Sequence, residues 1–378
     1  MAGFLKMFNV NLKFFENIYL IGGTVRDYLL NREINDYDFV CICKKDEFNE
    51  IAEKFFKLNF NKKPFLIGKE SPPTYRAKFK NKIIDLTIIE KDFNYDAKRR
   101  DFTINSIYYD LENKKFIDPL NGIKDLKNKI IRVCSEKSII IDPLRILRGI
   151  RFFSQLKDFK IEYLTFKKII ENKTLIKKIA SERIKEEIDK IILSEKYFIA
   201  FKILKKYKII DEFLDNIDWN NLDLVKKTPE NLNDFEKRIF IYALLFNKCL
   251  KKLKPSNKEL KIVKEIQNKY KILMNLNKKD DILNFIYFNR DYFYYIYKFS
   301  KTFFHLNNLK DIDNLYKEFL DKKDEIFTIL NGNDLINLGL KSGPCFGKIL
   351  DEVRIKFLKG DISTKKEALQ YVKEKFFN

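Results

Sequence analysis

Histidine is almost absent from this chain, which excludes several kinds of catalytic chemistry. The 378 residues contain a single histidine, His305, in the segment TFFHLNN. The segment has a helical pattern, so we expect a packing or surface role for this side chain. Neither a histidine-based metal site nor a Ser-His-Asp triad is therefore expected. Any chemistry must use carboxylates, a metal ion and cationic side chains.

Cysteine pairs and long apolar runs are also missing. The five cysteines are scattered, with no Cys-x-x-Cys pair and no metal-ligand spacing, at Cys41, Cys43, Cys134, Cys249 and Cys345. This usage is typical of reduced thiols in a cytosolic protein. No apolar run reaches the ~18 residues that a membrane helix needs, and the first residues show no cleavable signal pattern. We therefore expect a cytoplasmic protein without a membrane-spanning segment.

The chain has an excess of positively charged residues over negatively charged ones. The formal net charge is +21, and 45% of the residues are hydrophobic over a length that favours two or more domains. Such a charge indicates a polyanionic partner. The many Lys, Asn, Ile and Phe residues are equally typical of an AT-rich genome, so charge alone does not establish nucleic-acid binding.

The most informative segment is Ile18–Val40, with the sequence IYLIGGTVRDYLLNREINDYDFV. It predicts a short buried strand, a turn at Gly22-Gly23 and an amphipathic helix. Backbone N–H groups at such a helix N-terminus favour an anion, and the helix dipole adds to this preference. A turn without a ligand is the simpler interpretation of the two glycines alone.

Two carboxylates follow that helix closely. Asp36 and Asp38 alternate with Tyr37 and Phe39, and residues two apart on a strand share a face. Adjacent carboxylates repel each other unless a cation lies between them. Asp-x-Asp also occurs on solvated strand edges, but together with the preceding anion site it predicts phosphoryl or nucleotidyl transfer with a divalent metal.

A second motif is KRRDFTINSIYYD, Lys98–Asp110. Arg100 could hold a triphosphate, and Asn105 could bind a ribose or phosphate oxygen. Asp101 or Thr103 could equally cap a helix that has its arginines on the surface. The motif alone does not separate these two interpretations.

The third motif, IDPLRILRGIRFF, predicts a helix with a charged stripe. Asp142 before Pro143 fits an N-cap with proline at the first helical position. Asp142 is followed at intervals of three residues by Arg145, Arg148 and Arg151. An Asp acceptor beside an Arg donor complements the Watson–Crick edges of cytosine and adenine but not those of uracil and guanine. A capped helix with a basic face is the alternative.

The pattern of elements changes along the chain. Up to about residue 120 it predicts a small α/β domain with a mostly meandering sheet. The predicted strands are Ile18–Ile21, Asp38–Cys43, Pro64–Ile67, Tyr75–Phe79 and Ile83–Ile89. The predicted helices are Val25–Leu30 and Lys45–Leu58, and Gly68–Thr74 is a predicted loop. From Ile123 onward the periodicity is almost entirely helical.

These motifs, in this order and spacing, resemble those of the bacterial class II tRNA nucleotidyltransferases and poly(A) polymerases. The resemblance rests on GGTVRD with Asp36-Tyr37-Asp38, on RRDFTIN and on DPLRILRGIRF. Ser181–Leu193 is similar to the helical element that follows in these enzymes, and Asn331–Val353 is similar to the tail of CCA-adding members. The similarity is strong over residues 18–193 and weaker in the middle helices.

The resemblance implies a fold and a domain order. We expect a polymerase-β-like α/β head with a small mixed sheet, followed by an elongated all-α neck, body and tail. The head would span residues 1–122, the neck with its base-reading helix 123–193, and the tRNA-binding body and tail 194–378.

It also implies a site. Asp36 and Asp38 would be the catalytic carboxylates that bind Mg²⁺, and Asp85 would lie where a third carboxylate could support them. Gly23, Arg26 and Arg100 match nucleotide-contacting positions. Asp142 and Arg145 match the pair that reads the base, with Arg148 and Arg151 as further nucleotide contacts.

The implied activity is template-free addition of CCA or CC to tRNA from CTP and ATP, with release of pyrophosphate. The acceptor stem and T-arm of tRNA would be the macromolecular partner, and no stable protein partner is implied. A poly(A) polymerase and a non-catalytic RNA-binding protein are the alternatives. Ile141 replaces the usual glutamate before the base-reading aspartate. The stretch Leu86–Arg99 is as short as in CC-adding members, so CC and CCA both stay open.

Overall fold

The structure is a computed structural model that describes residues 17–67, 72–304 and 308–377. It comprises two compact units, Met1–Asp215 and Asn216–Asn378. The head and neck residues predicted from the sequence thus fall in one unit. His305 and the first residues of the predicted loop, Gly68–Ser71, lie outside the described residues.

A seven-stranded mixed sheet forms the frame of the first unit. Its strands are β1 (Ile18–Ile21), β2 (Tyr37–Ile42), β3 (Phe65–Ile67), β4 (Thr74–Phe79), β5 (Lys82–Ile89), β6 (Tyr108–Asp110) and β7 (Lys115–Ile117). Their spatial order is β3-β4-β5-β2-β1-β6-β7. The pair β2–β5 is parallel and the other pairs are antiparallel. The five strands predicted from the sequence are confirmed within one residue, whereas β6 and β7 were not predicted.

Helices cover the sheet and continue beyond it. In the first unit they are α1 (Gly22–Leu29), α2 (Phe48–Phe60), α3 (Phe93–Arg99), α4 (Gly122–Lys127), α5 (Ser138–Ile141), α6 (Arg145–Gln155), α7 (Tyr163–Glu171), α8 (Ser181–Ile192) and α9 (Tyr197–Lys206). Two short strands, β8 (Ile130–Ile131) and β9 (Lys160–Ile161), pair in parallel within the otherwise helical neck.

Burial of aromatic and aliphatic side chains fixes the frame. On the sheet, Ile21, Val40 and Ile89 pack with Ala97 of α3 and Tyr108 of β6. On α2, Phe48, Phe55 and Phe56 are fully buried, and the Phe55 ring meets Phe39 of β2 edge to face at 5.2 Å between centroids. Apolar burial on this scale provides most of the stabilisation of such a layer.

The second unit is helical. Its helices are α10 (Leu222–Val225), α11 (Asp234–Ile241), α12 (Asn257–Met274), α13 (Lys279–Phe288), α14 (Phe293–Phe303), α15 (Leu309–Asp321), α16 (Lys323–Thr328), α17 (Gly332–Asn337), α18 (Cys345–Lys359) and α19 (Lys365–Phe376). A π-helical turn, Tyr242–Phe246, continues α11. Complete capping boxes begin α11, α12, α17 and α19, which explains why these helices start where they do. Among the described residues, no helix has the length and apolar composition needed to cross a bilayer.

Candidate active site

The centre of the site is a row of side chains across the sheet. Asp38 lies opposite Asp85 in the parallel β2–β5 pair, and Asp85 lies opposite Arg76 in the β4–β5 pair. Asp36 precedes β2 and accepts a hydrogen bond from the Ile83 N–H at 3.1 Å. The alternation suggested that Asp36 and Asp38 lie on one strand, but only Asp38 belongs to β2.

The charges in this row are unbalanced. The Arg76 guanidinium binds Asp85 through two hydrogen bonds of 2.8 and 2.7 Å. Burial, followed by repulsion from Asp85, raises the pKa of Asp38 to about 6, and Asp36 adds to the rise. A carboxyl group in such surroundings gains from a nearby cation.

The oxygen ligands offered by Asp36 and Asp38 suit Mg²⁺, which typically binds one or two protein carboxylates together with substrate phosphates. In the part of the chain that the structure describes, no group of three or more His, Cys, Asp or Glu side chains could hold a metal ion. Both carboxylate oxygens of Asp85 accept hydrogen bonds from Arg76, so Asp85 is less available as a third ligand than Asp36 and Asp38.

Helix α1 begins at Gly22, earlier than the sequence predicts. Gly22 has a φ of +69°, and a Cβ at this position would lie 2.9 Å from Oδ2 of Asp38. The Thr24 hydroxyl accepts a hydrogen bond from the Asp38 N–H at 2.9 Å and donates one to the Asp36 carbonyl at 3.2 Å. The start of α1 and the two aspartates are thus locked together.

Arg26 of α1 lies in a polar network. Its guanidinium donates to both oxygens of Asp27, at 2.9 and 2.8 Å, and to Asn105 Oδ1 at 2.8 Å. Asn105 donates in turn to Asp101 at 3.0 Å. The sequence suggested a ligand-binding role for Asn105, but here it joins Arg26 to Asp101.

Arg100 follows α3 and is held by a buried carboxylate. Its Nε donates to Asp96 at 2.7 Å, and Asp96 also accepts from the Tyr108 hydroxyl at 2.6 Å. Burial disfavours the charge on Arg100, but Asp96 and Tyr108 outweigh it and raise the pKa of Arg100. Arg100 therefore stays cationic at the edge of the site.

Asp101, for which the sequence suggested only a cap, is a centre of this network. It accepts a hydrogen bond from Nε of Arg148 at 2.9 Å. Burial opposes ionisation of Asp101, but Arg148 and Asn105 outweigh burial and hold its pKa well below the usual range. Glu187 of α8 was not among the site residues predicted from the sequence. It lies on the apolar face of α8, and a glutamate at an apolar position of a helical pattern is a sequence signal that could have indicated a buried, paired carboxylate.

The third motif differs from the sequence prediction at its start. Helix α6 begins at Arg145, after a turn in which the Asp142 carboxylate accepts the Leu144 N–H at 3.3 Å. Pro143 is therefore not the first residue of the α-helix, which starts two positions later, whereas Asp142 makes the side-chain hydrogen bond expected of an N-cap. The Asp142 carboxylate also lies 3.4 Å from Nη2 of Arg183.

Arg145 is buried and bound by its own chain. Its Nη1 donates to the Ser138 hydroxyl at 2.6 Å and to the Ser138 carbonyl at 3.0 Å, and Nη2 donates to the Arg99 carbonyl. Burial lowers the pKa of Arg145. These contacts fix the guanidinium beside the turn that carries Asp142.

One polar cavity of about 1060 Å³ in the first unit joins these elements. Every site residue predicted from the sequence lines it, namely Gly23, Arg26, Asp36, Asp38, Arg100, Asp142, Arg145, Arg148 and Arg151. Asp85 and Asp101 line it as well. A carboxylate pair at one wall and arginines at the others can hold a metal-bound polyphosphate.

Three family models match successive parts of the chain. They are described as "Poly A polymerase head domain" over residues 18–132, "Probable RNA and SrmB- binding site of polymerase A" over 158–219, and "tRNA nucleotidyltransferase domain 2 putative" over 239–372. The chain belongs to the tRNA nucleotidyltransferase and poly(A) polymerase family. This family assignment agrees with the resemblance seen in the motifs.

Curated relatives in this family include both CCA-adding and CC-adding proteins. A CCA-adding enzyme of Lactobacillus helveticus is 35% identical over 206 residues, which cover 52% of this chain and 51% of the relative. A CC-adding tRNA nucleotidyltransferase of Shouchella clausii is 31% identical over 207 residues, covering 54% and 52%. The matched region thus spans about half the length of each of these two relatives. A CCA-adding enzyme of Streptococcus suis is 27% identical over 382 residues, covering 93% and 91%.

The fold of this family member is also shared with a solved structure. The crystal structure of the Bacillus stearothermophilus CCA-adding enzyme in complex with CTP matches with a TM-score of 0.77 and 22% identity, and the match covers 99% of this chain and 96% of the other.

Proposed function

We propose that the protein is a tRNA 3′-end nucleotidyltransferase that adds either CC or the complete CCA sequence without a nucleic-acid template. The observation that carries this proposal is the one cavity that Asp36 and Asp38 line together with several arginines. The CCA- and CC-adding names of the relatives support the reaction class. CTP and ATP would be the nucleotide substrates, and tRNA would be the acceptor. The reaction would take place in the cytoplasm.

Asp36 and Asp38 would hold Mg²⁺, which supplies charge neutralisation for the triphosphate and activates the RNA 3′-hydroxyl. Arg26 and Arg100 would bind phosphate oxygens, with the N-terminus of α1 beside them. The Asp142 carboxylate would accept a hydrogen bond from the amino group of cytosine or adenine, and the Arg145 guanidinium would donate one to the neighbouring ring nitrogen.

The addition of CC alone and of complete CCA are two forms of the same proposal. The connection between Asp85 and Arg100 consists of the end of β5, three residues and α3. By resemblance, its short length favours the CC-adding form. The relatives carry both names, so the experiment must separate the two.

The test uses tRNA that ends at the discriminator base, incubated with Mg²⁺ and CTP, ATP or both. Sequencing of the 3′ ends is expected to show two added C residues with CTP. Products that end in CC even when ATP is present establish the CC-adding form, and products that end in CCA establish the fuller one. Long A tails on unrelated RNA would identify a poly(A) polymerase, and no extension at all would favour a non-catalytic RNA-binding protein.

The metal assignment has its own test. Asp36→Ala is expected to abolish transfer and to leave tRNA affinity nearly unchanged, because the Asp36 carboxylate lines the cavity and its proposed role in the reaction is to hold the metal. Substantial residual turnover, measured by extension of labelled tRNA, would refute this assignment.

A further inference from the structure

Glu187 is a buried carboxylate for which the proposed chemistry has no direct use. It lies on α8 among Ile184, Ile188 and Ile191, with 2% of its surface exposed. A charge in such surroundings is costly unless it is paired. Its partners therefore indicate why it is there.

Those partners are two of the cavity arginines. Arg151 donates from Nη1 to Glu187 Oε1 at 3.3 Å, and its Nε lies 3.3 Å from Oε2. Nη1 of Arg148 lies 3.8 Å from the same carboxylate. Arg148 is also bound to Asp101 from the other side. Glu187 thus faces both arginines from the helix opposite α6.

Without a counter-charge these arginines would repel each other. The Phe152 ring gathers three guanidinium groups around it, with distances to the ring centroid of 4.4 Å for Arg151, 5.1 Å for Arg26 and 5.5 Å for Arg148. Contacts of this kind attract each cation to the ring, but they also crowd like charges. A buried anion behind the cluster offsets this repulsion.

The pairing of Glu187 with Arg151 is incomplete. Nε of Arg151 and Oε2 of Glu187 are both buried, and neither has a hydrogen-bond partner among the described residues. Arg151 is therefore held by charge while one of its N–H groups keeps its hydrogen-bonding capacity. The same side chain lines the cavity, so its ion pair with Glu187 determines where the guanidinium lies there.

We propose that Glu187 is a positioning residue for nucleotide binding, which holds Arg148 and Arg151 side by side at the cavity so that both can contact the triphosphate. The proposal rests on the proposed function, since that function supplies the nucleotide. Glu187 itself touches neither the nucleotide nor the metal.

The test compares Glu187→Gln with Glu186→Gln in the full chain. Both changes remove one negative charge from α8, but Glu186 is exposed. Binding of MgCTP, measured by isothermal titration calorimetry, is expected to weaken about tenfold in Glu187→Gln and to stay unchanged in Glu186→Gln. The KM for CTP should rise by a similar factor, while kcat and tRNA affinity change less than about threefold.

A pH series separates positioning from simple packing. Burial, together with repulsion from Arg148 and Arg26, lowers the pKa of Arg151 to about 10, against the opposing effects of Glu187 and Asp101. Removing the Glu187 charge lowers this pKa again. The loss of CTP affinity in Glu187→Gln relative to the parent protein should therefore grow between about pH 7 and pH 9.5. If Glu187→Gln instead weakened binding through a packing defect, the ratio of its CTP affinity to that of the parent protein would not depend on pH.

A double mutant gives the second readout. If Glu187 acts through Arg151, then Arg151→Met and Glu187→Gln should be strongly non-additive in CTP affinity. Additive effects, equal losses in both glutamine variants, or lower thermal stability with unchanged CTP affinity would each overturn the proposal. Weakened CTP binding in Glu187→Gln would support it even if the parent protein extended no RNA. Failure of the parent to bind MgCTP would overturn both this proposal and the proposed function.

Discussion

At the scale of single residues, the site is a set of charges whose neighbours define their roles. Asp38 and Asp85 are adjacent on neighbouring strands, yet only Asp85 has an arginine bound to it. Arg145 is fixed by serine and backbone oxygens, whereas Arg148 is fixed by Asp101. Identical side chains therefore differ in what they can still bind.

The uncompensated charge on Asp38 predicts a measurable effect on stability. Because the pKa of Asp38 in the folded protein is raised to about 6, its contribution to stability is complete below its ordinary pKa and is lost as the pH rises through about 6. In metal-free buffer near neutral pH, Asp38→Asn should thus be more stable than the parent by roughly 1–2 kcal/mol. The difference should shrink toward pH 4 in thermal unfolding experiments.

Magnesium ions supply the control for that prediction. If Asp38 binds Mg²⁺, millimolar Mg²⁺ should raise the unfolding temperature of the parent protein but not that of Asp38→Asn. An equal rise in both proteins would contradict the assignment of Asp38 as a metal ligand.

Arg145 predicts a change in base selection. Its guanidinium is held beside Asp142 by Ser138 and the Arg99 carbonyl. Arg145→Ala should relax base choice more than it weakens tRNA binding, because the donor that complements cytosine and adenine is lost. Incorporation assays with each of the four nucleotides measure this. If UTP and GTP stay excluded, this account of base reading is wrong.

At the scale of elements, the active site depends on where α1 begins. The turn from β1 into α1 brings the Gly22 backbone against Asp38, and Thr24 ties the same turn to the Asp36–Asp38 segment. The positive φ of Gly22 and the absence of a Cβ are both required for this approach.

Two neighbouring glycines provide a matched test of that packing. Gly22→Ala should lower the free energy of unfolding by about 1–3 kcal/mol, since alanine at a positive φ is strained and its Cβ would approach the Asp38 carboxylate. Gly23→Ala should cost less than about 1 kcal/mol, because its nearest neighbours lie at 3.6 Å or beyond. Equal losses in urea unfolding would show that the close approach is unimportant.

At the scale of the whole molecule, the net charge of +21 is the dominant property. Much of the positive charge inside the cavity is neutralised by acids such as Asp27, Asp96, Asp101 and Glu187. The excess charge must therefore lie largely elsewhere on the two units. An excess of positive charge predicts a polyanionic partner, and a phosphate backbone read by shape and charge rather than by sequence is the one that we expect.

This distribution predicts strongly salt-dependent RNA binding. If the lysines contact phosphates, tRNA affinity should fall by about two to three orders of magnitude between roughly 50 and 200 mM KCl. A filter-binding series gives the slope of log Kd against log salt concentration. A nearly flat slope would indicate that tRNA is not bound through its phosphates.

Some of the site could be predicted from local pattern. The strand, Gly-Gly turn and helix of Ile18–Leu30, and the spacing of the arginines in α6, depend on neighbours in sequence. All nine predicted residues accordingly line one cavity. The start of α6 was predicted two residues too early, because Pro143 suits both a helix start and the turn that the chain forms before Arg145.

The sequence by itself determined the α/β-then-helical order, the family motifs and the residues available for chemistry, because these follow from periodicity and residue type. Only the tertiary structure decided which charges are paired. Arg76 neutralises Asp85, Asn105 joins Arg26 to Asp101, and Glu187 lies behind Arg148 and Arg151. The physical reason is that ion pairs and hydrogen bonds depend on distances of a few ångströms between residues as many as 79 positions apart, and local pattern carries no information about such distances.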